Sequence, residues 1–399
     1  MRTLCAAVYL RMAEALNGAP GAGARATAAR DHLQVLCHGF AFRLRVWNDR
    51  ETRLLRALGR RAEAEALERD RFARAQHAAA VVAAAQRFPA LGETARLAKR
   101  WAAGQRLSGE LCDEALELLV VQCFVAPLPA APPGTPLAGL ARVLALLASL
   151  DPGSAGGSCG LVVDLSPAME PMPDAEHRAC VDAAEDARAA HKAALSLSTP
   201  SDRAGLRWTS AAPSRVGLRR AAGLARQALA RLGAALAAPE RVRAVMRHAS
   251  ADYDVELRLA AGAALAAPGS AFGAGAFQNL AAQLQRELLV GLCPARRLAE
   301  ELRRVYGRYA LFFPDEVKGD AIGVVWRPAA AGPFRLSVHT AAGAFPLQCA
   351  GALGDPAAPA PAGEVVPDAV GLLLGFRALG AGLVRAVEVC EGARVKPAA

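Results

Sequence analysis

Paired cysteines are missing from this chain. Its nine cysteines stand singly at 5, 37, 112, 123, 159, 180, 293, 349 and 390, with no C-x-x-C, and the number is odd. A secreted disulfide framework and a zinc ribbon are therefore not expected, and the pattern fits a reducing compartment. Aromatic residues are few, at 5%, and with so much alanine the composition leans helical rather than all-β. Long apolar runs are also absent. The strongest, 143–150 and 369–376, fall well short of the ~20 residues a membrane span needs. The uncharged stretch 259–277 is mostly Ala and Gly and is broken by Pro268, so no membrane association is expected. At the start, Arg11 and Glu14 interrupt a leader-like pattern, while Tyr9, Met12 and Leu16 continue it as an ordinary helix. No G-x-x-x-x-G-K-[ST] occurs, which excludes a standard P-loop NTPase.

What is present is 399 residues, 53% of them apolar, enough for a sizeable core and for two or three domains. The net charge of +10 permits a polyanionic partner. Only four of the 47 basic residues are Lys (99, 192, 318 and 396), and the Arg and Ala excess resembles that of a GC-rich genome, which weakens the charge argument. The charge is uneven. Residues 1–50, 51–110 and 206–330 carry +4, +5 and +8, residues 111–205 carry −7, and 331–399 are neutral. Nine arginines fall within 206–247 against a single acid, Glu240.

Breaker-rich segments at 18–24, 127–136, 151–160 and 351–363 punctuate the chain, and 262–276 reads as an Ala/Gly-rich insert. Residues 31–47 read as strand, turn, strand: Phe40, Phe42, Leu44 and Val46 alternate with Ala41, Arg43 and Arg45, the pattern of a half-buried strand. From 51 to 150 the period becomes helical. Leu116, Leu119, Val120, Cys123 and Phe124 form one apolar stripe, and Leu140, Val143, Leu144, Leu147 and Leu150 form another across a Pro-rich turn. A short buried strand is expected over 161–165. A helix over 214–237 lines up Leu218, Ala221, Ala222, Ala225, Leu229, Leu232 and Leu236, leaving its arginines to face solvent or a partner. Helices are expected at 278–290 and 296–306, and a β-hairpin over 309–313 and 321–326. A strand is expected at 334–339, and a helix from 367 to 376 with a continuation toward 387.

No short motif carries chemistry convincingly. Gly156-Gly-Ser158-Cys-Gly160 matches a nucleophile elbow, but its strand follows rather than precedes it, so a flexible turn is favoured. Gly21-Ala-Gly23 follows a helix where a dinucleotide fingerprint needs a strand. Asp252-Tyr-Asp254 has the paired carboxylates that two-metal nucleotidyl transfer uses. No Gly-Ser turn precedes the pair and no third carboxylate can be assigned, so surface or capping acids are the favoured reading. No His, Cys and Asp spacing points to a metal site, and no cofactor is expected. Trp101, in register with Leu97, reads as core, and Arg96, Lys99 and Arg100 form a basic edge beside it.

Several stretches together resemble the C-terminal part of the nucleolar RNA-associated protein (Nrap, or nucleolar protein 6) family. They are Asp31 to Arg45 with its Gly-Phe-Ala-Phe-Arg-Leu-Arg run, Arg87 to Trp101 continued by Leu107, Ser108 and 114–119, and Pro133-Gly-Thr-Pro136. Leu161-Val-Val-Asp-Leu165, Trp208-Thr209 with Pro213-Ser-Arg-Val216, and Tyr306 to Pro328 follow in the expected order. The Ala/Gly/Pro-rich stretches at 262–276 and 351–363 depart from the pattern as lineage-specific loops.

The resemblance implies an α+β chain in three parts. Residues 1–50 would be the strand remnant of a nucleotidyltransferase-like domain. Residues 51–205 would be a helical domain like that of poly(A) polymerase and oligoadenylate synthetase, and 206–399 a C-terminal α+β domain with a β-hairpin. The metal-binding face of the first unit would lie upstream of Met1, so the chain is expected to be a fragment or a truncated gene model. The family further implies a non-catalytic scaffold of the small-subunit processome, in the nucleolus, serving 18S pre-ribosomal RNA processing. The implied partners are pre-rRNA, the box C/D small nucleolar RNA particle, casein kinase II and a small RNA-binding protein. On charge alone, the residues expected to face RNA are Arg215, Arg219, Arg220, Arg226 and Arg231, then Arg96, Lys99 and Arg100. The competing expectation is an active nucleotidyltransferase using Asp252 and Asp254 with magnesium.

Overall fold

The computed structural model describes residues 2–19, 23–38, 40–126, 131–152, 159–165, 172–235, 245–246, 253–260, 294–315, 319–327, 334–335, 344–346, 364–367 and 369–390. These form an α+β arrangement with three hydrophobic cores. The helix expected at 278–290, the Ser158 turn, Asp252, Leu236 and Arg241, Arg243 and Arg247 lie outside the described residues, as do the loops 262–276 and 351–363.

The N-terminal core is small. Helix α1 (Arg2–Gly18) lies on an antiparallel sheet of β1 (Ala24–Ala28), β2 (Leu33–Cys37) and β3 (Phe40–Leu44). Tyr9 and Ala13 meet Ala26, Leu33 and Val35, and Asn17 bonds both backbone groups of Ala26, at 2.9 and 2.7 Å. Strand β3 forms as its alternation predicts, but the expected half-burial fails: Phe40 is 68% exposed and Phe42 48%. Register explains this. Phe42 stands opposite Val35 and Leu44 opposite Leu33, on the face where α1 sits, while α1 covers β1 and β2 and leaves the β3 edge open.

Helices α2 (Asp49–Ala57), α3 (Arg61–Glu68) and α4 (Arg74–Arg87) follow, with one π turn over Arg69–Ala73. The central core then assembles from α5 (Leu91–Gly104), α6 (Asp113–Val125) and α7 (Pro136–Ser149). Both apolar stripes read from the sequence are buried in it. Helix α6 goes further, burying Leu118 and Val121 as well, because neighbours pack around it. Thr135 starts α7 as a hydroxyl cap on Ala138 N, with Pro136 in the first turn, where its missing N–H costs nothing.

Strand β4 (Gly160–Val162), helix α8 (Asp174–His191) and strand β5 (Ser196–Ser198) make a parallel pair joined by a helical crossover. Helix α9 (Arg215–Ala235) packs on α7 and belongs to the central core.

The C-terminal core is a four-stranded antiparallel sheet carrying helices on one side. Its strands are β6 (Val255–Leu259), β7 (Ala310–Pro314) and β8 (Ala321–Trp326), together with β12 (Val384–Val389), in the order β12-β6-β8-β7. A minor sheet of β9 (Phe334–Arg335), β10 (Ala344–Pro346) and β11 (Glu364–Pro367) lies between β8 and the last helix in sequence. Helices α10 (Pro294–Tyr306) and α11 (Ala369–Leu379) complete the unit. Phe376 of α11 sits among Tyr306, Phe312 and Trp326, with ring centroids 4.9, 5.2 and 5.9 Å away. The helix expected to continue toward 387 instead stops at Leu379. Gly382 adopts φ +85° in the turn that follows, and 384–389 become an edge strand paired with β6.

Candidate nucleic-acid interface

The helical repeat of α9 sorts its side chains. Leu218, Ala221, Ala222, Ala225, Ala228 and Leu232 turn into the central core, so the positions between them turn away from it. Arg215 and Arg231 are exposed and make no ion pair among the described residues. Arg219 and Arg226 are exposed too, but both reach Asp151 beyond the end of α7, at 3.8 and 3.0 Å. Their shared acid ties α9 to α7 and offsets part of their charge.

Arg220 departs from the expected solvent-facing position. It is half-buried, its guanidinium carbon 5.0 Å from the Tyr253 ring centre and 4.2 Å from that of Phe313, and it donates to Tyr253 Oη at 2.9 Å. The reason is tertiary. This side of α9 meets the approach to β6 and the end of β7, where aromatic faces attract a cation more strongly than water-exposed surface does.

The same spot holds a second arginine that the sequence reading missed. Arg106, in a left-handed turn after α5 (φ +56°), is 1% exposed and pairs with the carboxylate of Glu256 on β6. Its guanidinium also lies over Tyr253, 4.7 Å from the ring centre. Arg106, Arg220, Tyr253 and Glu256 thus join the central core to the C-terminal sheet. No spacing in the sequence marks them, because their partners are 150 and 33 residues away in the chain.

On α5, Arg96 and Arg100 are exposed, and Arg96 stands 3.7 Å from Glu93. Lys99 is engaged: its Nζ lies 2.6 Å from Glu117 Oε1 and 3.4 Å from Asp113. Helices α5 and α9 both pack on α7.

Glu117 also binds His77 Nε2 at 2.7 Å. Burial alone would raise its pKa, but hydrogen bonds from His77 and Lys99 outweigh that and hold it below the usual 4.5. A carboxylate depressed in the folded state stabilises the fold above its ordinary pKa, and that contribution is lost as pH falls through the depressed value. Glu117→Gln is therefore expected to flatten part of the acid-side loss of thermal stability below about pH 4.5, followed by thermal denaturation at stepped pH. An unchanged profile would remove Glu117 from that role.

The second carboxylate of the Asp-Tyr-Asp run, Asp254, is not a surface acid. It is 5% exposed, its Oδ2 accepts the backbone N–H of Trp326 at 2.8 Å, and its own N–H donates to Val324 O at 3.0 Å. The nearest acid in sequence among the described residues, Glu256, is engaged by Arg106 and by Arg258, the latter at 3.0 Å. Among the described residues no group of three or more His, Cys, Asp or Glu side chains is placed to hold a metal ion.

Three family models match end to end: Nrap protein nucleotidyltransferase domain 4 over residues 1–93, Nrap protein PAP/OAS1-like domain 5 over 88–248, and Nrap protein domain 6 over 250–387. The chain belongs to the Nrap family. Human Nucleolar protein 6 is 31% identical across 96% of this Nrap chain, and the mouse protein 30% across the same share. The Xenopus tropicalis protein is 30% identical across 76%. The chain spans about a third of the length of the human and mouse relatives, at 33% of each. The central helical core and the C-terminal sheet fall within the second and third Nrap matches, and the Arg106–Glu256 pair bridges those two.

Proposed function

We propose that this chain serves ribosome biogenesis in the nucleolus as a non-catalytic scaffold of the small-subunit processome, contributing to 18S pre-rRNA processing. Membership of a family whose relatives are named Nucleolar protein 6 supports the nucleolar role. The observation that carries the non-catalytic reading is the state of Asp254. Its Oδ2 accepts the Trp326 backbone N–H and the side chain is buried against β8, a seat that supports a structural role for this carboxylate over one open to a metal and a substrate. In the proposed role an enzyme-derived fold is kept for its surface. Pre-rRNA, the box C/D particle, casein kinase II and a small RNA-binding protein are the partners we propose for it.

Two measurements test this. Incubated with magnesium and labelled nucleoside triphosphates, the chain is expected to incorporate nothing; incorporation would restore the nucleotidyltransferase reading. A fluorescent RNA oligonucleotide is expected to bind with an affinity that falls linearly on a log–log plot against salt. Arg100→Glu with Arg231→Glu, both at exposed positions, is expected to weaken that binding without changing the melting temperature. Absent or salt-insensitive binding would leave a scaffold for proteins only.

A further inference from the structure

Residues 111–205 are the acidic part of the sequence, yet the β4-α8-β5 crossover builds a basic cavity there. It is an open depression of about 740 Å³, lined by Arg188 and Lys192 at the C-terminal end of α8 and by Arg215 at the start of α9. Lys192 and Arg215 are exposed and have no ion-pair partner among the described residues. Among the described residues the acid paired with Arg188 is Glu185, 3.9 Å away and itself well exposed, which is a weak pairing.

The Arg188 side chain lies close over β4. A Cβ placed on Gly160 of β4 would come 3.2 Å from the guanidinium carbon of Arg188 and 3.0 Å from Ser196 Oγ of β5. The guanidinium and the hydroxyl therefore converge over one glycine, where a Cβ would press on both. Both groups carry unmet hydrogen-bonding capacity: Arg188 Nε and Ser196 Oγ are buried with no partner. Those two atoms lie beneath the cavity rather than in it; what faces the cavity is the convergence of three cations, which favours an anionic ligand.

We propose that this cavity is a binding site for the sugar-phosphate backbone of RNA, with Arg188, Lys192 and Arg215 as its phosphate contacts. The proposal rests on the RNA-binding part of the function proposed above, and names a place for it that charge along the sequence points away from. The walls favour a nucleic-acid backbone over an acidic protein segment. Pro152, Ala189 and Ala193 are small and offer no deep apolar pocket to anchor a side chain. Among the described residues no aromatic ring lines the cavity to stack a base, so the site reads charge and not sequence.

The test uses the full chain with fluorescein-labelled 20-nucleotide oligouridine and oligoadenosine, titrated at several salt concentrations. Three phosphate contacts on a single strand contribute about 2 to the slope of log affinity against log salt. The triple variant Arg188→Ala, Lys192→Ala and Arg215→Ala is expected to bind both oligonucleotides more weakly, with a slope shallower by about 2. Lys192→Glu with Arg215→Glu, at exposed positions only, is expected to weaken binding in the same direction with an unchanged melting temperature. Wild-type binding that both variants retain in full would overturn the cavity assignment while leaving RNA binding elsewhere intact. Failure of the wild type to bind RNA at all would overturn both. A polyglutamate peptide that binds more tightly than oligouridine at equal salt, and loses that binding in the triple variant, would overturn RNA in favour of an acidic protein.

Discussion

Glu256→Leu is expected to lower the unfolding free energy by about 3–5 kcal/mol, because it strands the guanidinium of Arg106 in a site with almost no access to water. The site is already demanding: Arg106 Nε and one terminal nitrogen are buried without acceptors, and the Tyr253 ring covers the guanidinium from one side. Removing the carboxylate leaves the cation, among the described residues, with that ring alone. Arg106→Met combined with Glu256→Leu is expected to recover most of the loss, since a buried pair replaced by well-packed apolar groups is often neutral or better. Urea denaturation of the two variants separates the outcomes. Equal loss in single and double variants would mean that packing around Tyr253, rather than the stranded charge, sets the cost. The pair matters for architecture because it joins a turn at the end of α5 to β6, and so connects the central core to the C-terminal sheet.

The second large effect lies inside the central core. Trp101→Ala is expected to cost about 3–5 kcal/mol by emptying the space of the largest fully buried side chain. Trp101→Phe isolates the cause. Phenylalanine keeps a ring in place and removes an indole N–H that is buried with no acceptor, so its cost is expected to be less than half as large. Both are read from chemical denaturation midpoints. A phenylalanine variant as damaged as alanine would show that the indole's full outline, not simply buried ring area, holds α5 in the core.

The sequence was most legible where apolar residues recur with helical period. Leu116 to Phe124, Leu140 to Leu150 and Leu218 to Leu232 are stripes whose spacing alone places them on one side of a helix, and all lie in the core. Trp101 was readable as core on the same ground. Helix α8 was not, since it buries only Cys180 and Ala184 and its charged and alanine positions carry little contrast. Strands β5 and β6 escaped too. Ser196 and Ser198 are polar yet buried, and Glu256 and Arg258 interrupt β6 with charges whose partners come from Arg106 and from Glu388 on β12. Strand β3 shows the converse: its alternation was plain, but whether a helix covers that edge is not a property of the strand.

Along the candidate interface the division is sharper. Spacing along α9 assigns its arginines to the side away from the core, because a 3.6-residue repeat leaves no other arrangement. It cannot say that Arg220 meets Tyr253 and Phe313, that Arg219 and Arg226 share Asp151, or that Lys99 is held by Glu117. Nor could the −7 of residues 111–205 reveal that Arg188 and Lys192 stand beside Arg215. Local periodicity is set by the backbone and can be read residue by residue. The electrostatic role of a charge depends on which oppositely charged or aromatic groups come within a few ångströms of it, and only folding brings those together.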